Sequence, residues 1–242
     1  MFYFLLTPIM MYNFILIAAA VVPAVFLMIK VYRSDRLERE SPRYLRYLAT
    51  GGVLSSLIAM VAEKLLSLVL NITVSPNTAL YNVLLYFGIV AFSEEGAKYF
   101  MLKRRSWKSS EFDCLYDGVV YAVFVALGFA LWENISYVMA YGFSTAIVRA
   151  VTAIPGHACF GVFMGVFYGV AKMHDRMGNE GMSKAYRVLA VVVPAVIHGA
   201  YDYIATAQTN GYNWYFIIFI AVLFVVSFML VGRMAKNDKY IA

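Results

Sequence analysis

Residues 79–102 read ALYNVLLYFGIVAFSEEGAKYFML. The first fourteen carry no charge at all, and then Glu94, Glu95 and Lys98 follow within five positions. A helix rises 1.5 Å per residue, so this stretch is long enough to cross a hydrocarbon core of about 30 Å. Apolar and polar residues do not alternate with period two, which argues against a strand of a membrane barrel. The stretch therefore reads as a membrane-spanning helix with three ionisable groups set into its inner half.

The rest of the chain supports that reading. Of 242 residues, 62% are hydrophobic and 14% charged, with a mean hydropathy of +0.72. Soluble domains sit at about 45–50% apolar and about 25% charged. Seven runs have the length and apolarity of a span: roughly Met11–Tyr32, Leu48–Leu70, Ala79–Leu102, Asp117–Ala140, Ala146–Ala171, Val188–Ala207 and Trp214–Val231. Backbone groups in lipid must be satisfied internally, and a helix does so within one segment. The expected fold is all-α: a polytopic membrane helical bundle of about seven transmembrane helices.

Orientation follows from the basic residues. All but three of the 20 lysines and arginines fall after span one, between spans three and four, between five and six, or after span seven. Those connections share one side, so the positive-inside bias predicts the N-terminus out and the C-terminus in. The same bias, with attraction to anionic lipid, accounts for the pI of about 9.2, and no nucleic-acid partner is needed. No linker divides the chain, so 1–242 is expected to form one integral membrane domain with its motif-bearing core at about 79–207. The first span lacks a basic n-region and is expected to remain uncleaved. Two cysteines, Cys114 and Cys159, make no disulfide framework. The sequon Asn71-Ile72-Thr73 is expected in a short outer loop and carries little weight.

Ionisable groups inside spans cost about 2.5–3.5 kcal/mol each on insertion scales, so they are functional candidates by default. Glu94 and Lys98 are i,i+4 and share a helix face, with Glu95 rotated by about 100°. Two adjacent carboxylates do not both ionise cheaply in a low dielectric. One held by Lys98 and one ready to take a proton suit acid–base chemistry. Span four carries Phe129-Ala-Leu-Trp-Glu133-Asn134. Span five carries His157 on a stripe of small residues (Ala153, Gly161, Gly165, Gly169) that lets a neighbouring helix approach closely. Span six carries His198 and Asp202, again i,i+4, so the carboxylate can orient the imidazole. Glu63 and Lys64 in span two lack a surrounding motif and read as structural, and Arg149 reads as a headgroup anchor. A structural ion pair at Lys98 and an interhelical hydrogen bond at His157 are the plainer alternatives. Polar groups turned inward from four helices weaken them.

The set EEGAK at 94–98, FALWEN at 129–134, HACFG at 157–161 and HGAYD at 198–202 resembles the PrsW family of intramembrane peptidases, relatives of the CAAX prenyl endopeptidases and Abi-type membrane proteases. The resemblance implies a multi-pass protease of a bacterial or archaeal cell membrane, embedded in the lipid bilayer and acting on membrane-anchored, single-span proteins. In Gram-positive bacteria the implied substrate is an anti-sigma factor. It also implies catalytic roles for Glu94, Glu95, Glu133, His157, His198 and Asp202, with Lys98, Asn134 and Phe129 in support. Either Glu94 or Glu95 would be the general base, and His198 would bind the oxyanion. Where the relatives' second motif has a histidine this chain has Glu133-Asn134, and where their last motif has an asparagine it has Asp202, so His157 is expected to fill the missing histidine's place.

Zinc is the alternative: His157, His198 and either Glu95 or Glu133 make a hydrolytic ligand set with one open position. No HExxH is present and the ligands would come from three helices, so a metal-free glutamate mechanism with no cofactor is preferred. A straight-helix estimate sets Glu95 about 12 Å and Glu133 about 24 Å from the inner ends of their spans, a mismatch of roughly 10 Å that tertiary structure must close. Two readings outside proteolysis are a proton-coupled transporter or channel and an inactive scaffold. The four motifs do not repeat one another, which counts against the inverted repeats of a transporter.

Overall fold

The computed structural model describes residues 8–76, 78–206 and 212–241. They form α1 (Pro8–Ser34), α2 (Pro42–Thr73), α3 (Ala79–Val83), a π-helical segment (Leu84–Ala91), α4 (Phe92–Ser106), α5 (Asp117–Tyr141), α6 (Phe143–Val151), α7 (Ala153–Arg176), α8 (Glu180–Thr206) and α9 (Tyr212–Lys236). Among these residues the only β pairing is an isolated bridge between Cys114 and Tyr240. The protein is an all-α polytopic bundle, and six stretches are long and apolar enough to cross a membrane: α1, α2, α5, α6 with α7, α8 and α9.

The expected third span is a helical run from Ala79 to Ser106 interrupted by the π segment, and it is not among those six. Wide π turns re-aim the side chains that follow them, and here Glu94 and Glu95 follow directly. The expected fifth span is also divided. Thr152, at φ −120° and ψ −71°, separates the short α6 from α7. That break leaves Pro155 in the first turn of α7, where a missing N–H costs nothing. Several helices outrun their apolar cores: α8 begins at Glu180 rather than near Val188, and its expected last residue, Ala207, lies outside the described residues. The sequon falls in the last turn of α2 instead of a loop, with the Asn71 side-chain oxygen accepting from the Tyr81 hydroxyl at 2.6 Å.

The inner half of α5, from Asp117 to Ala130, is buried throughout, as expected of a helix apolar on all sides. It packs against α1, α2, α4 and α7. Backbones touch where glycines allow it. A Cβ on Gly165 of α7 would stand 2.5 Å from the Gly118 carbonyl oxygen of α5, so the small-residue stripe fits the most buried helix. A Cβ on Gly199 of α8 would stand 2.6 Å from the Phe87 ring, which lets the π segment lie beside His198.

The connections rich in basic residues gather at one end, as their charge predicts. The Leu115 amide donates to the Lys239 carbonyl, the Ile241 amide to the Asp113 carbonyl, and the Tyr116 amide to Asp238 Oδ1. The Tyr121 hydroxyl bonds Glu40 and the Glu111 carbonyl, tying the α1–α2 and α4–α5 connections to α5. Burial pushes the Glu40 carboxyl up to about 8, and burial followed by the nearby Asp238 pushes Asp35 up to about 6. Both acids hold protons in the folded state that the unfolded chain releases above its ordinary carboxylate range. The stability these two groups contribute is therefore fully present below the ordinary carboxylate range and is lost as pH rises through 6 and then 8. The thermal midpoint in detergent is expected to be lower at pH 9 than at pH 6, and Glu40→Gln should shrink that difference. A midpoint that rises over this interval, or a difference unchanged in Glu40→Gln, contradicts the assignment.

Candidate active site

The polar groups of the π–α4 run, α5, α7 and α8 meet in one network. Lys98 Nζ, fully buried, is 3.1 Å from Glu94 Oε2, 2.7 Å from Glu95 Oε1 and 3.0 Å from His157 Nδ1. An ammonium has three donors and no acceptor, so all three are used. His157 must accept at Nδ1 and carry its proton on Nε2. That nitrogen is 2.7 Å from Glu133 Oε2, a carboxylate that accepts it. The Phe129 ring faces the ammonium, with Nζ 4.0 Å from its centroid, and adds a cation–π contact on the remaining side.

The depth mismatch between Glu95 and Glu133 is closed by side chains. Lys98 and the width of the His157 ring span the interval, so the two carboxylates belong to one network without touching. Glu133 also receives Arg149, whose Nη2 is 2.9 Å away. Arg149 Nε donates to Asn134 Oδ1 at 2.9 Å, and Asn134 Nδ2 donates to the Ala20 carbonyl at 3.1 Å. Asn134 thus holds Arg149 from the α1 side and does not reach the cavity.

His198 stands between two acids. Its Nδ1 is 3.0 Å from Glu95 Oε1 and 3.9 Å from Glu94 Oε2, and its Nε2 is 3.4 Å from Asp202 Oδ2. An imidazolium donating from both nitrogens satisfies this arrangement. Phe160 stacks on the ring at 4.6 Å between centroids, and the His157 ring meets it edge-on at 5.4 Å.

A cavity of about 580 Å³ opens onto this network, with Glu63, Glu94, Glu133, Arg149, His157, His198 and Asp202 all on its wall. The adjacent glutamates are not equivalent in it. Glu94 lines the cavity, with 8% of its side chain exposed, whereas Glu95 lies behind it at 0%. Glu95 Oε2 has no hydrogen-bond partner among the described residues. Of the residues picked from sequence, Glu94, Glu133, His157, His198, Asp202 and Phe129 reach the cavity, while Glu95 and Lys98 are one layer beneath.

Two wall residues were read otherwise from sequence. Glu63, taken as structural, lies on the cavity wall, and the signal was there: an acid inside a span. Arg149, taken as a headgroup anchor, is turned inward by Glu133 and Asn134. No local pattern announces that, because its partners are fifteen and sixteen positions away on another helix.

The donor set for a metal differs from the expected one. Glu94, His157 and His198 each offer a ligand atom within 4.8 Å of the others, and neither Glu95 nor Glu133 belongs to that group. Two histidines and a carboxylate match a hydrolytic zinc site in kind and number. In the fold the same donors are engaged by protein groups. The Lys98 ammonium takes the lone pair of His157 Nδ1 and stands 3.1 Å from Glu94, while His157 Nε2 and both His198 nitrogens face carboxylates. As folded, two of these three donors, Glu94 Oε2 and His157 Nδ1, are hydrogen-bond partners of Lys98.

Residues 40–231 match the model of a family described as PrsW family intramembrane metalloprotease. Protease PrsW of Bacillus subtilis (strain 168) is 32% identical over 230 residues, covering 93% of this chain and 96% of the relative. Protease PrsW of Geobacillus kaustophilus (strain HTA426) is 33% identical over 210 residues, 87% of this chain and 88% of the relative. Protease PrsW of Clostridioides difficile (strain 630) is 30% identical over 212 residues, 86% and 84% respectively. No solved structure matches the chain.

Proposed function

Since the chain belongs to the PrsW family of intramembrane proteases, we propose that it cleaves a single-span membrane protein with Glu94 as the general base. The observation that carries this assignment is the position of the two adjacent glutamates: Glu94 is on the cavity wall and Glu95 is behind it. Water in the cavity gives its proton to Glu94 as its oxygen attacks the peptide carbonyl carbon. The oxyanion that forms is met by His198, whose Nε2–H makes only a long 3.4 Å contact to Asp202 and can re-aim. Glu94 then delivers the proton to the amide nitrogen as the C–N bond breaks. Glu95 holds Lys98 and, through Nδ1, His198 in place, and Asp202 lies beside the Nε2 that turns to the oxyanion. Glu133, Arg149 and His157 form the opposite wall. An anti-sigma factor is the substrate class that the resemblance implies.

The cavity runs from the Lys98 network toward Tyr137, Arg149 and Thr206, near the ends of α5, α6 and α8 that the basic-residue bias places outside. Cleavage is therefore expected in the outer half of the substrate's span. In proteoliposomes carrying a single-span reporter, mass spectrometry of the fragments should place the cut there. A cut in the inner half, or no cleavage of any single-span reporter, sinks the proposal.

A metal-dependent route is the second reading, favoured by the Glu94, His157 and His198 grouping and by the family's description. The two differ in a direct measurement. With Lys98 bonded to Glu94 and His157, purified enzyme is expected to contain less than one tenth of an equivalent of zinc and to keep its activity after dialysis against a chelator. Stoichiometric zinc, or chelator inhibition reversed by added zinc, selects the metal route.

A further inference from the structure

A second cavity, of about 610 Å³, lies between α1, α7 and α9. The face of α7 that lines it carries Pro155, Ala158, Cys159 and Val162, spaced i, i+3, i+4 and i+7. His157 is about 100° from Ala158 on the helix and belongs to the other cavity, so the two spaces are separate. The α9 face runs from Phe224 to Lys236 with the same helical spacing, about 18 Å along the axis. That length is close to one leaflet of a bilayer whose hydrocarbon core is about 30 Å thick.

Charge is confined to one end. Lys30, Arg33, Arg36 and Lys236 line the space, and no aspartate or glutamate does. None of the four forms an ion pair among the described residues. Lys30 is held over the Phe228 ring of α9, its Nζ 4.2 Å from the centroid, so this cation stays between the two helices. A general positive-inside bias places lysines and arginines at helix ends. It does not require four of them, with no acid, at the mouth of an apolar cleft one leaflet deep.

We propose that this cleft binds an anionic phospholipid of the inner leaflet, its phosphate among Lys30, Arg33, Arg36 and Lys236 and one acyl chain along α7 and α9. The chemistry required is one or more negative charges at headgroup depth joined to a chain about a leaflet long. A zwitterionic lipid meets the apolar part alone, because its own ammonium repels the basic mouth. Gly232 lies on the α9 wall, and a Cβ there would meet no atom within 4 Å. A side chain at this position starts from open space on the cleft wall.

The test uses the full chain in detergent, titrated with phosphatidylglycerol and with phosphatidylcholine of matched chains and followed by native mass spectrometry. Phosphatidylglycerol is expected to bind at least tenfold more tightly. Lys30→Gln with Arg33→Gln and Lys236→Gln should bring the two lipids to within about twofold of each other. Gly232→Phe should abolish retention of both, with an unchanged thermal midpoint showing that the bundle is intact. Equal binding of the two lipids by the unaltered protein overturns the proposal. So does full retention in Gly232→Phe, or photocrosslinking from Gly232→Cys to protein instead of lipid.

Discussion

Glu94→Gln is expected to lower the catalytic rate by about 10²–10⁴-fold, the range a positioned general base contributes, while leaving the protein folded. Glutamine keeps the volume and one acceptor oxygen for Lys98 Nζ, now 3.1 Å from Glu94 Oε2, but it cannot take a proton from water. Because Glu95 Oε1 is the closer anchor of the ammonium, at 2.7 Å, Lys98 retains a charged partner and the thermal midpoint should move little. Glu95→Gln should act differently. It removes the carboxylate shared by Lys98 and His198, so stability and activity fall together. Turnover of a single-span reporter, measured alongside the thermal midpoint, separates the two. If Glu94→Gln stays active while a well-folded Glu95→Gln is dead, the base is Glu95 and the assignment from cavity position is wrong.

Lys98→Met is expected to destabilise the fold by about 3–5 kcal/mol, the cost of leaving buried charges without their partner. Lys98 is fully buried and donates to two carboxylates and one imidazole, so its loss strands Glu94 and Glu95 side by side and frees the His157 lone pair. The compensated variant makes the prediction specific. Lys98→Met combined with Glu94→Gln and Glu95→Gln also removes the carboxylates that Lys98 balances and should recover most of the lost stability with no activity. Equal thermal midpoints for unaltered protein and Lys98→Met would mean that water or another cation reaches the two carboxylates.

The structure also separates the two acids of the motif that first marked the protein. EEGAK presents two glutamates that sequence treats as alternatives for one role. In the folded chain they take different positions: Glu94 borders the cavity, and Glu95 forms the buried anchor between Lys98 and His198. Helical geometry sets them about 100° apart, but which of the two directions is wet depends on where α5, α7 and α8 stand.

What the sequence determined by itself rests on local periodicity and on the cost of charge in lipid. Apolar runs of span length fix an all-α membrane bundle, basic connections cluster at one end, and ionisable residues inside spans name Glu94, Glu95, Glu133, His157, His198 and Asp202. The i,i+4 spacing of Glu94 with Lys98 and of His198 with Asp202 survives as contacts of 3.1 and 3.4 Å, because both pairs are made within one helix. The tertiary structure alone decided what joins one helix to another. His157 bridges Lys98 to Glu133, Arg149 turns inward, Glu63 reaches the cavity, and Lys98 bonds two of the three donors that suit a metal. Those contacts depend on the π segment before Glu94, the break at Thr152 and the glycine-permitted approach of α7 to α5. Each changes the angle or depth of a whole helix, and no spacing within a single helix records that change.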